Sequence, residues 1–161
     1  MPVPDRSAEL VVAFLNTLDV EAGTDQLGDL GGYRAWVHAR ADLSGVPVGD
    51  AEAAAARALR TALRLSAQGL AATPATCQPL ILTLDASGEP RLDGDGPLAQ
   101  VAAAVAITAI RGTWARIKIC PADDCRWAFY DASRNRSRSW CSMAVCGNRA
   151  KARNHRARAG S

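Results

Sequence analysis

Long hydrophobic runs are missing from this sequence. No stretch approaches the roughly 20 consecutive apolar residues that a membrane helix needs. The nearest, residues 101–110, reads as a buried helix of a soluble domain. The opening Met1-Pro2-Val3-Pro4-Asp5-Arg6 has no basic stretch leading into an apolar core, which predicts no secretory signal and a cytoplasmic protein. Histidine is scarce, with His38 and His155 alone. No nucleophile–base pairing or phosphate loop can be read from the N-terminal part, so an enzyme is not expected. His38 reads as a surface residue on the polar side of a helix, and His155 as a polar surface group. Cysteine is nearly absent from the first 110 residues, where Cys77 stands alone and reads as an ordinary buried thiol.

What is present is 161 residues, 48% of them hydrophobic, which excludes a wholly disordered chain. The length suits one compact domain with an appendage. The net charge of +3 conceals a division. Residues 1–110 carry 7 Lys+Arg against 13 Asp+Glu, a charge of −6, whereas residues 111–161 carry 12 against 3, a charge of +9. The basic part also holds Cys120, Cys125, Cys141 and Cys146, together with five of the eight aromatic residues. These shifts predict a boundary near 111–113, with an N-terminal domain over 1–112 and a small second domain over 113–161.

Hydrophobic periodicity predicts a mostly helical N-terminal domain. Leu10, Val11, Phe14, Leu15 and Leu18 mark one face of a helix over 7–19, with Ser7 as its N-cap. A second helix spans 24–41 through Leu27, Leu30, Tyr33 and Val37, with a break possible at Gly31-Gly32. The alanine-rich segment 50–71 is the clearest helix, and Leu59, Leu63 and Leu70 mark its buried face. A β hairpin follows, with strands at 80–84 and 91–93 and turn residues between them. Pro97 opens a helix that runs to 110, is apolar almost all round and should sit at the centre of the core.

The basic segment is too short to bury much surface, so it needs disulfides or a metal to fold. Its spacing, Cys120-x4-Cys125-x15-Cys141-x4-Cys146, is two close pairs laid out as for a structural zinc site. Each pair supplies one edge of a thiolate tetrahedron with bonds of about 2.3 Å. Disulfides would need an oxidising compartment, and an iron–sulfur cluster would use the same four thiolates. Pro121 favours a tight turn within the first pair. Residues five apart differ by about 140° around an α-helix, so Cys141 should precede the last helix and Cys146 lie in its first turns. Arg116, Lys118, Arg126, Arg138 and Arg149 surround the cysteines in sequence and favour the thiolate form. Four protein ligands leave no open position, so the zinc, one per chain, should be structural.

Arg116-Ile117-Lys118-Ile119 and Trp127-Ala128-Phe129-Tyr130 read as a hairpin, residues 133–139 as a basic loop, and 144–159 as a final helix without an apolar stripe. Turn, hairpin and helix in that order suggest a treble-clef-like finger built on four cysteines, giving an α+β chain overall. Arg134, Arg136, Arg138, Arg149, Lys151, Arg153, Arg156 and Arg158 are the candidate nucleic-acid contacts, because arginines neutralise phosphates and a helix can enter a major groove. The competing reading is a solvated basic face that docks on the acidic N-terminal domain. No base-reading pattern can be assigned.

The segment Cys141-Ser142-Met143-Ala144-Val145-Cys146-Gly147-Asn148-Arg149-Ala150-Lys151 resembles the CGNR zinc-finger family, as do residues 133–138 and the pair Cys120-Pro121 to Cys125. Phe14-Leu15-Asn16-Thr17-Leu18-Asp19, with Trp36, is similar to the ABATE domain that usually precedes this finger. The resemblance implies a bacterial stress-induced transcriptional regulator whose zinc finger binds DNA, with Cys120, Cys125, Cys141 and Cys146 as ligands. Gly147 would let backbone approach the last thiolate, Asn148 would bond the knuckle loop, and Arg149 would buttress the site or reach a phosphate. On this reading the N-terminal domain senses a small-molecule effector or mediates homo-oligomerisation, and RNA is an alternative ligand to DNA. The alternative function is a zinc-stapled protein–protein adaptor without specific nucleic-acid binding.

Overall fold

A computed structural model describes residues 3–40, 43, 48–72, 80–94 and 96–159. Cys77 and the first two residues, on which two of the expectations rest, lie outside the described residues. Helix α1, Arg6–Leu15, starts at Asp5, whose carboxylate accepts the Ala8 N–H at 2.9 Å. The cap is therefore Asp5 and not Ser7. Ala8, Leu10, Val11, Phe14 and Leu15 form its buried stripe. The helix ends four residues before the predicted limit because Thr17 turns the chain. Its N–H and hydroxyl both donate to the Phe14 carbonyl.

Leu18–Asp19 (β1) then pairs antiparallel with Thr24–Asp25 (β2), in the register Leu18↔Asp25. Pairing of Thr24 and Asp25 is what delays the second helix, α2, to Leu30–His38. Its cap is Asp29, which accepts the Gly32 N–H at 2.7 Å. Gly31-Gly32 is no break. Gly32 lies in the first turn, where a Cβ would collide with the Gln26 carbonyl.

Helix α3, Asp50–Ala67, is terminated by Gly69 at φ +71°. Gly69 N–H bonds to the Ser66 carbonyl and Leu70 N–H to the Leu65 carbonyl, the paired bonds of a Schellman cap. Leu70 is thus outside the helix and 54% exposed, contrary to its predicted place on the buried face. That face carries Ala53, Ala56 and Leu59 and, unexpectedly, Arg60 and Arg64.

The hairpin Ile81–Leu84 (β3) and Pro90–Asp93 (β4) forms as expected, with Leu82 opposite Leu92. Asp85 organises its turn by accepting the N–H groups of Ser87 and Glu89. Helix α4, Pro97–Ile110, has Pro97 in its first turn and packs along α1. It is buried through Leu98, Ala99, Val101, Ala102, Ala103, Ala104 and Thr108, but Ile110 at its end is exposed. Glu52 joins three helices, accepting the Leu98 N–H at 3.1 Å and the Tyr33 hydroxyl at 3.0 Å.

A 3-10 turn at Trp114–Arg116 leads into the antiparallel pair Ile117–Ile119 (β5) and Ala128–Tyr130 (β6). A π turn, Met143–Gly147, precedes the last helix, α5, Asn148–Ala159. Ile117, Ile119 and Ala128 belong to the same buried cluster as Phe14, Leu15, Leu59 and Val101. Phe129 faces the other way, into a second cluster with Cys120, Ala122, Cys125 and Cys146. The β5–β6 hairpin is therefore shared, one face closing the helical core and the other flooring the cysteine cluster. Among the described residues, no helix is long and apolar enough to cross a membrane.

Candidate metal centre

Strand β5 delivers Cys120, whose N–H closes the ladder on the Trp127 carbonyl at 2.8 Å. The chain reverses after it, with the Cys125 and Arg126 N–H groups both donating to the Ala122 carbonyl. Arg126 completes the reversal at φ +53°. Cys141 lies ahead of the last helix and Cys146 inside the π turn. There the Gly147 N–H reaches back five residues to the Ser142 carbonyl at 3.0 Å, and the Ser142 hydroxyl accepts the Val145 N–H. That wider turn brings residues five apart onto one side, which an α turn would not do.

The four sulfurs all lie within 4.8 Å of one another. Cys125 Sγ is 3.5 Å and Cys146 Sγ 3.6 Å from Cys141 Sγ. A tetrahedral zinc with Zn–S bonds of about 2.3 Å sets its sulfurs about 3.8 Å apart, so the cluster fits the ion. All four cysteines are free, and these separations far exceed the disulfide length of about 2.05 Å. Cys120, Cys125 and Cys146 are buried and Cys141 is half-buried. Burial pushes the Cys146 thiol up to about 11, and burial with the neighbouring sulfurs raises Cys141 further. Cys120 is lowered. Burial opposes its ionisation, but N–H groups of Cys141 and Ala122 stabilise its thiolate. Four crowded sulfurs cannot all ionise without a cation, and a dication supplies that charge. The cluster can hold one zinc ion, with all four positions taken by protein.

Polar contacts brace the cluster. Asn148 Nδ2 donates to the Ala144 carbonyl at 3.1 Å, bonding the knuckle as expected. A Cβ on Gly147 would meet the Met143 side chain at 2.7 Å, so this glycine makes room for Met143. Arg149 pairs with Glu21 at 3.1 Å and Asp124 at 3.7 Å, tying α5 to the β1–β2 turn and to the first knuckle. Arg138 stacks over the Phe129 ring at 4.9 Å and donates to the Trp140 and Cys141 carbonyls.

The other flanking cations are spent elsewhere. Arg116 donates to the Asp131 and Ser133 carbonyls. Lys118 binds Asp131 at 2.7 Å and the carbonyls of Arg136 and Arg138, while Arg126 pairs with Asp123. The predicted shell of cations around the thiolates is therefore mostly a scaffold for loops. Arg134, Arg136, Lys151, Arg153, Arg156 and Arg158 are exposed and have no ion pair among the described residues.

Three residues central to this arrangement escaped the sequence reading. Asp131, 0% exposed, accepts the Ser133 N–H and hydroxyl, the Arg138 N–H and the Lys118 ammonium. It fixes the basic loop 133–138. Its carboxyl is held well below the usual range: burial works against ionisation, but Lys118 and Ser133 outweigh it. Asn16 bonds both backbone groups of Ala128. Arg64 donates to the Leu15 carbonyl and, across the hairpin, to the Arg126 carbonyl, each at 2.7 Å. The spacing of Ala53, Ala56, Arg60 and Arg64 on one helical face was the available signal for the last, because it places arginines on an otherwise small-residue stripe.

No curated protein matches the chain. The segment that carries the cysteine cluster, residues 116–159, matches the family model of the CGNR zinc finger.

Proposed function

We propose that this protein is a transcriptional regulator that binds DNA through a treble-clef-like zinc finger and the exposed helix α5. The observation that carries the reading is the state of the basic residues. Lys151, Arg153, Arg156 and Arg158 project into solvent from α5 without an acidic partner among the described residues, whereas Arg138 and Arg149 already have partners within the chain. Docking on the acidic body would consume the charge of α5, and among the described residues the ion pairs of α5 are those of Arg149 in its first turn. Free cations on a rigid helix suit phosphate neutralisation with counterion release. In this reading zinc is the staple that holds α5 and the loop carrying Arg134 and Arg136 in fixed relation. The ABATE-like N-terminal part, residues 1–112, serves as sensor or oligomerisation module of a cytoplasmic stress regulator without enzymatic activity.

The test is fluorescence anisotropy of the zinc-loaded full chain on labelled duplex DNA over a salt series. Affinity falling steeply with salt supports the reading, since each neutralised phosphate adds about 0.9 to the slope. Binding no tighter than that of a basic control peptide at low salt refutes it.

A further inference from the structure

A groove of about 730 Å³ lies between the end of α3 and the finger, along the edge of β5 that β6 leaves free. Its volume falls within the range of about 300–1,000 Å³ typical of ligand sites. The Arg116 carbonyl accepts from Asp131 N–H, and Cys120 N–H donates to the Trp127 carbonyl. Alternation in an antiparallel ladder then gives residues 116, 118 and 120 to β6. Ile117 and Ile119 direct their backbone groups to the opposite edge. The Ile117 N–H is spent within the 3-10 turn, on the Trp114 carbonyl. Among the described residues nothing pairs with the Ile117 carbonyl or with the N–H and carbonyl of Ile119, which alternation turns toward the groove on residues that are themselves buried.

Leu70 and Trp114 supply apolar walls beside this edge. Among the described residues, Lys118 and Arg126 are the charged ones lining the groove and no carboxylate lines it. The Lys118 ammonium is already neutralised by Asp131. Among the described residues, the Arg126 side chain is held by Gln68 at 3.3 Å and by Asp123, whose side chain is 92% exposed. Such an exposed pair contributes little and yields readily to a better-shielded carboxylate.

We infer that the free edge of β5 is a docking site for an extended acidic peptide of another protein, added as a third strand to the β5–β6 pair. A backbone repeating N–H and C=O matches these strand-edge groups, which is the recognition mode of strand addition. The apolar walls take an alternate side chain, and Arg126 takes the carboxylate. Because Arg126 closes the first cysteine knuckle, a peptide here touches the finger without covering α5. The site therefore stands independently of the DNA-binding reading.

The experiment is selection of random seven-residue displayed peptides on the full-length, zinc-loaded chain, followed by amide exchange on the complexes. Enriched peptides should carry Asp or Glu and lack Lys and Arg. Their binding should slow exchange of the Ile119 amide by about tenfold or more, the mark of a hydrogen bond newly made there. Leu70→Glu, at an exposed position, should weaken binding about tenfold with zinc content and melting temperature unchanged. Four results would overturn the inference: no enrichment, bound peptides that leave Ile119 exchange unaltered, an Ile119 amide already protected in the free chain, or protection given by single-stranded DNA or a second copy of the chain in place of the peptide.

Discussion

The Asn16 side chain bonds Ala128 in both directions, its Nδ2 donating to the Ala128 carbonyl at 3.0 Å and its Oδ1 accepting the Ala128 N–H at 2.7 Å. A residue at the end of α1 thus completes the outer edge of β6, 112 positions away in sequence. Ala128 is almost wholly buried, so neither backbone group has water as a substitute. The helical body and the finger hairpin are consequently expected to unfold together.

Asn16→Ala removes both bonds and strands a buried donor and acceptor. It should cost about 2 to 3 kcal/mol in urea denaturation. Far-ultraviolet circular dichroism and absorbance of a cobalt-substituted cluster should follow a single transition in the native protein. Two separated transitions in the native protein would mean that the shared core does not couple the two parts.

Asp131→Asn should destabilise the protein by about 3 kcal/mol at neutral pH, because it leaves Lys118 facing a buried neutral amide. The sign of its pH dependence is fixed by the lowered carboxyl. A folded pKa below the ordinary 3.8 means that the stabilisation is complete above that value and is lost as pH falls towards the folded value. The stability gap between native and variant should therefore stay level from neutral pH down to about 5 and close below about 4. A gap that instead closes between about pH 5 and 7 would assign the effect to a group of histidine-like pKa.

Arg153→Ala combined with Arg156→Ala should leave melting temperature and zinc content unchanged and flatten the salt dependence of duplex binding by about 2. Arg138→Ala should do the reverse. Its guanidinium is stacked on Phe129 and bonded to the Trp140 and Cys141 carbonyls, so its loss should speed zinc release to a chelator with little change in slope. Equal slope changes in the two variants would contradict this division of roles.

The pairing of these residues explains what could be read in advance. The cysteine tetrad, the β5–β6 hairpin and the helix opened by Pro97 were legible, because ligand spacing, alternation and a proline at a helix start are local signals. The limits of α1, α2 and α3 were not. Thr17, the pairing of Thr24 with Asp19, and Gly69 each stop or delay a helix through a bond or conformation that periodicity does not register. The fates of the arginines were also hidden. Arg138 and Arg153 look alike in a basic run, and only the fold places one over Phe129 and the other in solvent. Asp131 was invisible for the same reason, since its partners come from both sides of it in sequence, Lys118 before it and Ser133 and Arg138 after it.

That one zinc ion bound by Cys120, Cys125, Cys141 and Cys146 holds the finger together is tested most directly by native mass spectrometry with parallel metal analysis. The expected result is one zinc per chain, four thiols shielded from alkylation until a chelator is added, and loss of the metal in Cys146→Ala. A chain that carries no metal, yet keeps the β5–β6 hairpin and α5 folded with four reactive thiols, would contradict it.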